Sequence, residues 1–94
     1  MAGLGMVADL QVSSNCFGGT LFARWKPLLG AKVYEVQICV DSLEEARWRT
    51  IKPSPGSKME IDRLTPGMKV WVRVRGVAKD RIGSWSQPAC KIVP

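Results

Sequence analysis

From Lys69 to Val77 the chain reads most clearly as a strand, with Val70, Val72 and Val74 on one side and Trp71, Arg73 and Arg75 on the other. Successive side chains of an extended strand point to opposite faces, so this run demands a strand with one apolar face and one aromatic, cationic face. A helix would scatter the same valines around its circumference. The period of two recurs along the chain, and no stretch sustains a helical period. Leu10-Gln11-Val12 reads as a first strand, and Thr20 to Trp25 as a second with Leu21, Ala23 and Trp25 on one face. A third runs from Val33 to Val40, setting Tyr34, Val36, Ile38 and Val40 against Glu35, Gln37 and Cys39. Trp48 to Ile51 and Lys58 to Ile61 are shorter. The last, Ser84 to Val93, contains Pro88, which cannot donate to a ladder and so confines the segment to an edge.

Turn chemistry separates these runs: Asn15 to Gly19, Pro27 to Gly30, and Lys52-Pro53-Ser54-Pro55-Gly56. Asp41 to Ala46 has the composition of one helical turn but is too short to stand alone. Seven short strands spaced in this way predict an all-β, antiparallel sandwich of two sheets. Ninety-four residues hold one core, not two. Trp25 and Leu64 are expected in it, with Trp25 the largest piece at its centre.

Charge is uneven. Residues 1–62 carry seven cations and seven anions, whereas residues 63–94 carry Arg63, Lys69, Arg73, Arg75, Lys79, Arg81 and Lys91 against Asp80 alone, which accounts for the net +6. Such an asymmetry suits an anionic partner or a solvated face kept soluble by like charge. No apolar stretch approaches the ~20 residues of a membrane span, so no membrane insertion is expected. Met1 to Leu10 has no cation ahead of an apolar run, as a secretory leader would.

Cys16, Cys39 and Cys90 are odd in number and lack a Cys-x-x-Cys spacing, which argues for buried or half-buried free thiols outside any disulfide framework and slightly favours a reducing compartment. The sequence alone leaves a Cys16–Cys90 bridge open. With no histidine, the commonest general base and most zinc ligand sets are missing. No nucleophile elbow or phosphate-cradling glycine loop is present. Asp41, Asp62 and Asp80 are each followed two residues on by an apolar residue, which excludes a calcium loop. Neither a catalytic site, a cofactor nor a metal is expected.

Five runs in order carry a family resemblance: Leu21-Phe22-Ala23-Arg24-Trp25, Tyr34-Glu35-Val36-Gln37-Ile38, Leu64-Thr65-Pro66-Gly67, Val72-Arg73-Val74-Arg75 and Gly83-Ser84-Trp85-Ser86-Gln87-Pro88. Together, over Ala8 to Val93, they resemble a fibronectin type III domain. The resemblance implies an immunoglobulin-like sandwich with three strands in one sheet and four in the other, without a disulfide. It divides the chain into a flexible entry segment, residues 1–7, and the domain, residues 8–94. The sequence departs at Val70, where the family usually carries a tyrosine whose hydroxyl anchors a corner. Gly76, where the family often has alanine, is expected to leave a small gap. The family's integrin-binding Arg-Gly-Asp is not matched, because Arg75-Gly76-Val77 ends in valine.

Ser84-Trp85-Ser86 is similar to half of the Trp-Ser-x-Trp-Ser box of cytokine receptors, in which strand arginines stack on tryptophan. The candidate interaction patch is therefore Trp71, Arg73, Arg75, Lys79, Arg81 and Trp85. It reads as a self-satisfied stack or as a basic, aromatic surface for a polyanion. The expected function is that of a monomeric, non-catalytic spacer or protein-binding module of a larger protein, similar to compact versions in small bacterial proteins. The alternatives are polyanion or nucleic-acid binding and a carbohydrate-associated accessory role.

Overall fold

The computed structural model describes residues 4–14, 18–40 and 48–94. They form β1 (Gln11–Ser14), β2 (Leu21–Arg24), β3 (Val33–Val40), β4 (Arg49–Thr50), β5 (Lys58–Ile61), β6 (Lys69–Val77) and β7 (Ala89–Ile92). Strands β1-β2-β5 make one antiparallel sheet and β4-β3-β6-β7 the other. This is the immunoglobulin-like sandwich of three and four strands that the resemblance implied. The longest strands, β3 and β6, pair from Val33↔Val77 to Val40↔Val70 and form the centre of the larger sheet.

Alternation decides what lies between the sheets. Leu21, Ala23 and Trp25 face Tyr34, Val36, Ile38, Val70, Val72 and Val74, all of them buried. The Trp25 and Tyr34 rings meet edge to face at 5.4 Å and 64°, the geometry that the ring quadrupoles favour. The Tyr34 hydroxyl accepts the Leu28 N–H at 2.8 Å, which fixes the loop after β2 to the core. Leu64 is only half-buried, at the border of the core.

Further expectations change. Cys90 is exposed rather than buried or half-buried. Cys39 lies on the outer face, as the alternation requires, and is only 1% exposed, in line with the expected burial. The register sets it beside Trp71, and a small thiol next to an indole is shaded even on an outer face. Gly76 leaves no gap, because Leu28 Cδ2 and Ala31 Cβ stand 2.9 and 3.1 Å from where its Cβ would be. The last strand has four residues, Ala89–Ile92, in place of the expected Ser84 to Val93. Ser84 makes an isolated parallel bridge with Met6, and regular pairing begins only at Ala89, past Pro88. Residues 4–7 lie against the domain, with Leu4 and Val7 buried and the Gly5 carbonyl accepting the Ser84 N–H at 3.1 Å.

Where the tyrosine is missing, backbone bonds hold the corner. Thr65-Pro66-Gly67-Met68 closes a turn through Met68 N–H to the Thr65 carbonyl at 3.2 Å, with proline second and Gly67 third at φ +88°, a type II turn. Gly67 N–H donates to the Val93 carbonyl and Val93 N–H to the Met68 carbonyl, both at 2.9 Å. The expected turn at 15–19 and helical turn at 41–46 fall partly or wholly outside the described residues, as does Cys16.

Candidate interaction surface: an arginine–tryptophan ladder

The outer face of β6 carries Trp71, Arg73 and Arg75, and antiparallel pairing sets Cys39, Gln37 and Glu35 of β3 directly opposite them. Opposed residues of a ladder stand close enough for side chains to meet. Arg73 Nε and Nη2 donate to Gln37 Oε1 at 2.8 and 2.6 Å. Arg75 Nε donates to Glu35 Oε1 at 2.8 Å, and its Nη2 lies 2.8 Å from the same oxygen in an ion pair. The two guanidinium planes are thereby held side by side above the sheet.

Indole rings fill the space between and around them. The Arg73 guanidinium carbon lies 4.3 Å from the Trp48 ring centroid and 4.4 Å from that of Trp85, and the Arg75 carbon lies 4.4 Å from Trp85. The order is Trp48, Arg73, Trp85, Arg75. Trp85 owes its place to the next residue. Ser86 N–H donates to the Val74 carbonyl at 2.8 Å, and its hydroxyl accepts the Val74 N–H at 3.0 Å. Ser86 is thus fastened to the residue midway between the two arginines. Because Ser86 is buried and Val74 faces the core, the neighbouring Trp85 is left on the outer side.

A planar cation between two ring faces is attracted to both, worth ~0.5–1 kcal/mol at an exposed site and about 2 when desolvated. Here the cations are half-buried. Arg75 is ion-paired with Glu35, and Arg73 gives its Nε and Nη2 donors to Gln37. Lys69 adds a looser contact, its Nζ 5.5 Å from the Trp71 ring.

The expected patch therefore divides. Arg73, Arg75 and Trp85 come together, and Trp71 sits in the same outer row as the arginines. Lys79 and Arg81 stand apart on the loop beyond Val77, where the Ala78 N–H donates to the Arg81 carbonyl at 2.8 Å. Both are exposed, and Arg81 meets Asp80 only at 3.7 Å. Sequence reasoning missed Trp48, Gln37 and Glu35. Pairing the outward residues of β3 with those of β6 would have found the last two. Among the described residues, no group of three His, Cys, Asp or Glu could hold a metal.

No protein-family model matches the sequence, and no curated protein does. Solved structures do match. The FN3 domain FN3tt superposes with a TM-score of 0.84 at 19% identity, over 98% of this chain and 96% of that one. An Fn3-like protein from Clostridium thermocellum gives 0.78 at 19% identity, over 89% and 86%. Titin kinase with its flanking domains gives 0.83 at 16% identity, over 98% of this chain but 17% of the larger one. The chain has the fibronectin type III fold.

Proposed function

We propose that the chain is a non-catalytic module that serves as a spacer or protein-interaction unit of a larger protein. The observation carrying this reading is the ladder: its most chemically loaded surface is spent on itself. Guanidinium groups that would recognise an anion have their faces on Trp48 and Trp85 and donors on Gln37 and Glu35. Such an arrangement stiffens the larger sheet more readily than it offers a ligand site. The occurrence of the same fold within the much longer titin kinase structure, most of whose length this chain does not span, supports use as one unit among several.

A second reading, polyanion binding, is favoured by the exposed Lys79 and Arg81 and by the charge excess of residues 63–94. Titrating heparin against the chain and its Arg73→Ala/Arg75→Ala variant at two salt concentrations tests whether the ladder belongs to such a surface. The module reading expects any affinity to be unchanged by the double substitution while stability falls. A tenfold loss of affinity, about 1.4 kcal/mol, at unchanged stability would transfer the ladder to the binding surface.

A further inference from the structure

Among the described residues four large apolar side chains are exposed, Met6, Leu29, Ile82 and Ile92, and the first three gather at one end of the sandwich. Leu29 rides the crest of a turn closed by Ala31 N–H to the Leu28 carbonyl at 3.1 Å, and it is 96% exposed. Ile82 lies on the loop between β6 and β7, bridged to Val77. The two loops adjoin: Arg81 Nη2 is 3.4 Å from where a Gly30 Cβ would stand, and Lys32 N–H donates to the Val77 carbonyl at 2.8 Å. Met6 joins them through its bridge to Ser84.

Nothing in the fold requires leucine at this crest. The turn needs Gly30, at φ +91°, while the preceding position accepts most residues and favours proline. Exposed Lys32, Lys79 and Arg81 lie on the same two loops, against Asp80. Apolar tips among cations suit an interface that is anionic at its surface and apolar just beneath.

We propose that this end docks peripherally on an anionic lipid surface, Leu29 and Ile82 entering the boundary between headgroups and acyl chains while Lys32, Lys79 and Arg81 face the headgroups. The apolar side chains stand on separate crests, so a bilayer, which yields around protrusions, fits them without a preformed pocket. Peripheral docking needs no spanning segment, and no helix of the described residues is long and apolar enough to be one. This inference is independent of the ladder and goes beyond the module reading.

Sedimentation of the chain with vesicles of phosphatidylcholine and phosphatidylserine, compared with pure phosphatidylcholine, tests it. Binding is expected to the anionic vesicles alone. Leu29→Ala/Ile82→Ala should weaken it about tenfold through lost apolar insertion, and Lys79→Ala/Arg81→Ala by about as much. Ile92→Ala, which truncates a side chain on β7 about as exposed as Ile82, should leave it unchanged. If the double loop variant failed to fold, Leu29→Ala alone, at a fully exposed crest, would carry the test. Absence of binding to anionic vesicles overturns the proposal. So does binding lost with the cations but kept without Leu29 and Ile82, which would mark a general polyanion surface, and so does an equal loss in Ile92→Ala.

Discussion

Gly83 shows how one residue can hold a segment to the domain. A Cβ there would stand 2.5 Å from the Gly5 carbonyl oxygen and 3.3 Å from Leu4 Cβ, closer to backbone than a side chain is tolerated. Only glycine lets residues 4–6 lie on the loop that follows β6. Gly83→Ala should therefore destabilise the domain by about 1–3 kcal/mol, as overpacking does. Gly56→Ala, whose Cβ would meet nothing within 4 Å, is the matched control and should be nearly neutral in urea melts. Equal midpoints for the two variants would show that residues 4–6 yield without cost. This contact was invisible in the sequence, where Gly3-Leu4-Gly5 reads as a loose lead-in. Proximity between a terminus and a distant loop leaves no periodic trace.

At the scale of the element, alternation made β2, β3 and β6 readable, because a strand buried on one face writes its orientation into every second residue. Leu21, Tyr34, Val36, Ile38, Val70, Val72 and Val74 all fall inside as expected. Where side chains took over the work of backbone pairing, the pattern misled. From Ser84 to Ser86 polar and apolar residues still alternate as in a strand, yet the Ser86 hydroxyl takes the place of a ladder carbonyl on the Val74 N–H. Ser86→Ala should leave that buried donor unpaired at a cost of about 1–3 kcal/mol. Amide exchange at Val74 is the direct check, and protection equal to that of the unsubstituted chain would show that another acceptor moves in. Trp48 escaped notice for a related reason, since it precedes a strand of only two residues, too short to show a period.

For the whole molecule, the sandwich explains why the fold needs no disulfide. One core spans both sheets, from Val7 through Val74 to Val93, and a chain of this length buries enough surface without a staple. Cys39 and Cys90 flank Trp71 in register on the outer face of β3, β6 and β7, two strand spacings apart, roughly 9–10 Å. That separation exceeds the reach of a disulfide. Thiol titration of the denatured chain, prepared without reductant, should count three; a count of one would place a bridge to Cys16.

The charge asymmetry of the chain, plain in the sequence, resolves into two surfaces that the sequence could not separate. One holds Arg73 and Arg75 within the ladder; the other exposes Lys79 and Arg81 on a loop. That the ladder is architecture is the central claim, and a double-mutant cycle between Arg73 and Trp85 tests it most directly. Urea unfolding of Arg73→Ala, Trp85→Ala and the double variant isolates the energy that the two side chains share. A guanidinium held between two rings and half-buried predicts a favourable coupling of about 0.5–2 kcal/mol. Strict additivity of the two single substitutions, with no coupling beyond error, would contradict it.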